Sequence, residues 1–196
     1  MLLRHAEREA IRNLEGTIEA RLVPAGKAAA RAMGRDLAPL GTLVLRHSPV
    51  PRCAETAEEL VAGTLEAGGQ ARLIGPVLEL GGPYMYDWRR AMKQVFSEGA
   101  DSFVRSWFAG ELPSDLAMPA EQAAKQQVQI LQDSLKQAED GELCLHVSHD
   151  WNVLCVRTFF AKRGLDCGWP RFLEPVAVWN DKEDGQLRVR SADADT

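Results

Sequence analysis

Arg4-His5-Ala6-Glu7-Arg8 sets a histidine directly after one arginine and three residues before another. Guanidinium forks match phosphate oxygens bidentately, and an imidazole between them can act as nucleophile, acid–base group or metal ligand. The preceding Met1-Leu2-Leu3 reads as a short buried strand that delivers these groups to its carboxyl end, where open α/β sheets place their ligands. Taken alone, the same residues also fit an exposed basic N-terminal arm. Two further stretches repeat the form. Thr42-Leu43-Val44-Leu45 runs into Arg46-His47-Ser48-Pro49-Val50-Pro51-Arg52, and Leu143-Cys144-Leu145-His146-Val147 empties into Ser148-His149-Asp150. Pro51 is a good first helical residue. Arg52 therefore falls in a first turn, where free backbone N–H groups and the helix dipole favour an anion.

The elements that must position these groups alternate along the chain. A polar, Gly-containing loop follows Arg8 to about Val23, and a helix starts at Pro24 with Ala29, Met33, Leu37 and Leu40 as its apolar stripe before Gly41. The helix opened by Pro51 carries Ala57, Leu60, Val61 and Leu65 and ends at Gly68-Gly69. Ala71-Arg72-Leu73-Ile74 reads as a short strand, with a turn at Gly75-Pro76 and then Val77-Leu78-Glu79-Leu80. From residue 81 to 118 the character changes to aromatics (Tyr84, Tyr86, Trp88, Phe96, Phe103, Trp107, Phe108) and a basic cluster, Arg89, Arg90 and Lys93. This segment is expected to be a cap of short helices over the carboxyl edge of the sheet, although aromatics packed into a second small core would look the same. The clearest helix has Ala120, Ala124, Val128, Leu131, Leu135 and Ala138 on one face. Another runs from Trp151 to about Arg163. Pro175–Trp179 and Leu187–Val189 close the sheet as a hairpin, and the polar tail 191–196 is expected to fray.

Bulk properties narrow the class. At 196 residues the chain suits one domain with its cap. Its 23 basic and 28 acidic residues, a net charge of −5, argue against general attraction to nucleic acid or membranes, so any basic site is local. No signal peptide or apolar run of spanning length is present, and a cytoplasmic location is expected. The strand begins almost at the site itself, which is compatible with a segment preceding Met1. Cys53, Cys144, Cys155 and Cys167 show no CxxC pairing and read as free thiols, mostly buried.

The three strand exits resemble the histidine phosphatase superfamily, the phosphoglycerate mutase-like fold. Arg4-His5-Ala6 is similar to its Arg-His-(Gly/Ala) motif. Ser48 through Arg52, Cys53 and Thr56-Ala57 resembles its Ser-x-x-x-Arg-(small)-x-x-Thr-Ala segment. Val147-Ser148-His149 resembles its second-histidine motif, and Leu22 to Ala29 its leader into the first helix. The resemblance implies a three-layer α/β/α sandwich around a mostly parallel sheet, and a two-step reaction through a phosphohistidine. It casts His5 as nucleophile, Arg4, Arg8 and Arg52 as the phosphate clamp, and His149 as a donor to the transferred phosphoryl group, with no metal or cofactor required. For the general acid it offers two residues. The acid phosphatase branch resembles His149-Asp150, which is favoured here, and the mutase branch uses a mid-chain glutamate, where Glu79 stands. Asp150 also has a plain reading as a helix cap, and Glu7 as a salt-bridge partner.

The expected activity is hydrolysis of a small phosphorylated substrate or a phosphoprotein. Arg89, Arg90 and Lys93 hint at an anionic remainder, or form a solvated helix face. A mutase-like transfer to another hydroxyl and a non-catalytic phosphate-binding module are the alternatives. A zinc site built from His5, His47, His146, His149 and the cysteines fits poorly, because strand residues three apart point to opposite faces.

Overall fold

The computed structural model describes residues 1–191, so the tail from 192 to 196 lies outside the described residues. Strands β1 (Leu2–Arg4), β2 (Thr42–His47), β3 (Ala71–Pro76), β4 (Glu142–Ser148), β5 (Pro175–Asn180) and β6 (Leu187–Ser191) form one sheet in the order β3-β2-β4-β1-β5-β6. The first four in that order run parallel, and the β5–β6 hairpin is antiparallel to β1. The helices are α1 (Gly16–Glu19), α2 (Pro24–Leu37), α3 (Pro51–Glu66), α4 (Trp88–Glu98), α5 (Ala100–Phe108), α6 (Ala120–Gln137) and α7 (Asp150–Phe159). The mostly parallel α/β sheet expected from the apolar runs is present.

Strand alternation sorts the core into layers. Leu3, Leu43, Leu45, Leu145 and Val147 point to one face, where they meet Leu37 of α2 and Ala57 and Leu60 of α3. Leu2, Val176 and Val178 point to the other and meet Val128 and Leu131 of α6 and Val153 and Val156 of α7. Residues 81–118 add a third cluster. Tyr84, Phe103 and Trp107 pack there against Leu154 and Cys155 of α7, with Tyr84 stacked on Trp107 at 5.0 Å and Phe103 on Trp151 at 5.4 Å. Most of the aromatics in this segment serve packing, while Tyr86 and Phe96 remain exposed.

Three local expectations are corrected. The buried face of α2 is Gly26, Ala30, Gly34 and Leu37, whereas Ala29 is exposed and Leu40 is 65% exposed. The reason is backbone contact between helices: a Cβ on Gly34 would lie 2.2 Å from the Leu60 carbonyl oxygen, and one on Gly63 would lie 1.9 Å from that of Arg31. A stripe read from side-chain size does not see such a face. Secondly, β3 continues through the turn expected at Gly75-Pro76, which pair with Arg46 and His47 past a register shift, and Leu78–Gly81 then forms a 3₁₀ turn whose Leu80 carbonyl accepts from Ser148 Oγ (2.8 Å) and Asn152 Nδ2 (3.0 Å). Thirdly, Ser191, expected in a frayed tail, is a buried residue at the end of β6.

Gly63→Ala is expected to push α2 and α3 apart and to cost about 1–3 kcal/mol, read as a lowered denaturation midpoint. An unchanged midpoint would show that the helix contact yields without loss.

Candidate active site

Backbone register alone brings the three strand exits together. β4 lies between β2 and β1, with Arg4 opposite Ser148 and His47 opposite Val147. The His5 amide donates to the Ser148 carbonyl (2.9 Å) and the Ser48 amide to that of Val147 (2.8 Å). His5, Ser48 and His149 therefore leave neighbouring parallel strands at one level, and Arg52 and Asp150 follow in the first turns of α3 and α7.

Hydrogen bonds fix the state of both imidazoles. His5 is buried, and its Nδ1 lies 2.7 Å from the Ala6 carbonyl, to which it can only donate. Its Nε2 receives the Nε–H of Arg52 at 3.1 Å, so that nitrogen carries a lone pair. Arg52 also donates from Nη2 to His149 Nδ1 at 3.1 Å, which leaves the proton of neutral His149 on Nε2, 2.9 Å from Ser48 Oγ. The ring centroids are 5.6 Å apart. Thr56 ties the two elements together, accepting from the Ala6 amide (3.0 Å) and donating to the Arg52 carbonyl (2.7 Å).

Around this pair the charge is mostly positive. Arg4 meets Asp150 Oδ2 at 3.2 Å, donates to the Pro170 carbonyl, and lies 4.1 Å over the Phe172 ring. Arg8 donates to the Glu9 carbonyl. The Nε–H groups of Arg4 and Arg8 are buried with no hydrogen-bond partner among the described residues. Burial and then the Arg52 charge hold His5 well below the ordinary histidine range. Burial pushes His149 down as well, helped by Arg52, His5, Arg4 and Arg8. Cys53 lies 3.8 Å from His149 Nε2, and burial raises its thiol to about 12, so it packs there as an inert neutral group.

The structure thus gathers Arg4, His5, Arg8, Arg52, His149 and Asp150. It does not gather Glu79, which is exposed and lines a cleft with Pro83, Met118, Gln126, Gln129 and Ile130. Of the cap cations, Arg90 is paired with Asp115, and Arg89 lies 5.9 Å from the Trp88 ring, so neither contact leads to the histidines. His47 at the end of β2 bonds the Ser48 carbonyl, and His146 of β4 bonds Ser134 Oγ of α6. Four contributors escaped the sequence reading. Ser48 and Thr56 stood in a quoted motif without a role, and Trp169 and Phe172 sit in a loop whose one signal was its density of aromatic and Pro residues.

Three buried histidines link stability to pH. Burial depresses His5, His149 and His146, the last to about 3. The unfolded chain titrates near about 6.5, so below that value it binds more protons than the native state. Their stabilisation is complete above about pH 6.5 and is lost as pH falls toward the folded values, by up to about 1.4 kcal/mol per pH unit for each histidine. Urea midpoints at pH 7.5 and pH 5 should show the loss, and a midpoint that rises on acidification would contradict it.

A sequence model described as histidine phosphatase superfamily (branch 1) matches residues 1–178. No relative among curated proteins matches the sequence. Solved structures with the same fold include a phosphoserine phosphatase from Entamoeba histolytica (TM-score 0.67, 16% identity, covering 98% of this chain and 95% of that one). A mycobacterial glucosyl-3-phosphoglycerate phosphatase gives a TM-score of 0.66 at 17% identity, over 97% and 95%. A phosphoglycerate mutase from Bacillus anthracis gives 0.64 at 15%, over 97% and 90%. With most of its length covered by the family pattern, the chain belongs to the histidine phosphatase superfamily, branch 1.

Proposed function

We propose that the protein is a phosphatase that hydrolyses a phosphomonoester, on a small molecule or a phosphoprotein, through a phosphohistidine on His5. One observation carries the reading: an unprotonated His5 Nε2 is held by the Arg52 Nε–H, an N–H that an anion can draw off, and Arg4 and Arg8 beside it hold buried N–H groups without an acceptor among the described residues. A tetrahedral dianion supplies the missing acceptors. A phosphoryl group in flight spreads charge over its equatorial oxygens, and fixed guanidinium groups stabilise that charge without reorganising. The arginines meet this need, so the reading calls for no metal or cofactor.

In the first step the Arg52 Nε–H passes from His5 Nε2 to a phosphate oxygen, and the freed Nε2 lone pair attacks phosphorus. The N–P bond forms as the bond to the leaving oxygen breaks, and that oxygen takes the proton of the Asp150 carboxyl. In the second step the Asp150 carboxylate takes a proton from water, the water oxygen attacks phosphorus, and the N–P bond breaks to release phosphate. His149, protonated beside the anion, donates to the transferred group from Nδ1. Residues 81–118 would act as a cap whose aromatic core packs on the first turns of α7.

Glu79 is the second reading for the acid, favoured by the phosphoglycerate mutase among the structural neighbours. Geometry favours Asp150, whose carboxylate touches a clamp arginine.

Hydrolysis of an aryl phosphate with a chelator present tests the proposal. The wild type should turn over, and His5→Ala should fall by at least about a thousandfold while still folding. If neither turns over although both are folded, the mutase and binding-module readings gain, and thermal stabilisation by phosphate becomes the deciding measurement. Asp150→Asn should lower kcat/KM for an alkyl phosphate by about a hundredfold or more and barely affect kcat/KM for a dinitrophenyl ester, whose leaving oxygen needs no proton, because dephosphorylation does not enter kcat/KM. Equal slowing of both points back to Glu79.

A further inference from the structure

The loop between α7 and β5 reaches over the site without belonging to any motif. Its Trp169 donates from Nε1 to Asp150 Oδ2 at 3.0 Å, the oxygen that also meets Arg4 Nη2. The other carboxylate oxygen, Oδ1, accepts the Trp151 amide at 3.0 Å, a contact local to the start of α7. Trp169 is thus the neutral side-chain donor on Asp150, and it reaches the carboxylate from outside β1 and α7.

We propose that Trp169 is a positioning residue that orients the Asp150 carboxyl for proton transfer to the leaving oxygen. The inference rests on the reading of Asp150 as general acid. Arg4 cannot hold the carboxyl in place throughout the reaction, because the phosphate competes for the same guanidinium. The indole N–H carries no charge, so it fixes the rotamer without adding a cation beside an acid that must take up and release a proton.

The loop is built to hold that indole still. The Trp169 ring packs against the aromatic cluster of residues 81–118. At one end of the loop the Gly168 carbonyl accepts from Arg157, and at the other Arg157 pairs with Glu174 at 3.0 Å, a pair buried on both sides. Glu174 also accepts the Arg171 amide (2.8 Å), and its own carbonyl accepts the Arg4 amide (3.2 Å). One buried ion pair therefore anchors both ends of the loop, which supplies the Trp169 donor to the acid and the Pro170 carbonyl to the clamp arginine.

Trp169→Phe keeps an aromatic ring and removes the N–H. The kcat/KM of an alkyl phosphate should fall on the order of tenfold, that of a dinitrophenyl ester should stay within about twofold because dephosphorylation does not enter kcat/KM, and inhibition by inorganic phosphate should be unchanged. The ratio of the two kcat/KM values is independent of the folded fraction, so a destabilised variant still gives an answer. Added to Asp150→Asn, the substitution should cost nothing more on the alkyl ester. Equal losses on both esters, or weakened phosphate inhibition in step with turnover, would overturn the proposal by showing a structural or clamp role. If Asp150→Asn discriminates between the esters and Trp169→Phe does not, the positioning role fails and the acid reading stands. If Asp150→Asn itself fails to discriminate, both fall together.

Discussion

A buried guanidinium bonded to two neutral imidazoles is the constraint on which this structure turns. Arg52 donates to His5, to His149 and to the Thr17 carbonyl, and none of these is a counter-ion. Arg4 and Arg8 add to the repulsion, with Asp150 as the nearby carboxylate. Concentrating cations in a low-dielectric site is unfavourable unless something else holds them. In a chain of net charge −5 this cluster is a local construction, maintained by packing around it.

That packing is mostly backbone against backbone. Parallel pairing of β2, β4 and β1 sets the heights of His5, Ser48 and His149 by ladder hydrogen bonds, independent of side-chain identity. Gly34 and Gly63 let α2 and α3 close to backbone distance, and Gly26 lets α2 meet the Glu7 carbonyl directly behind the Arg4–Arg8 segment. The same charges then serve chemistry. In the absence of an anion they keep both imidazoles neutral, and they leave N–H groups that an anion can satisfy.

The strand exits were legible because parallel strands buried on both faces read as continuous apolar runs, and each run here ends in residues of distinct chemistry. The face of α2 was not, because glycine contact leaves no hydrophobic period. Glu79 was offered by its mid-chain position and Asp150, the favoured acid, by its place after His149; a 3₁₀ turn pinned at Leu80 decides where Glu79 stands, and no spacing rule foresees that turn. The loop 168–174 acts through the carbonyls of Gly168, Pro170 and Glu174 and one indole N–H. Carbonyls have no sequence signature, so the residues that complete the site were the ones the sequence concealed.

This division of labour explains how the fold persists in solved structures of 15–17% identity. The groups proposed to meet phosphate owe their placement to strand register and the first turns of two helices. The rest of a substrate has to pass the rim, where Phe172 is 37% exposed beside Arg4 and His5, and where residues 81–118 and 168–174 contribute side chains with no part in the sheet. Those segments reach the site directly, since the Glu174 carbonyl accepts the Arg4 amide, Phe172 lies against His5, and the 81–118 cluster packs on Leu154 and Cys155 of α7. A carbonyl contact tolerates many side chains, so under the proposed function these segments are where recognition of the phosphoryl carrier can vary while the strand exits stay fixed.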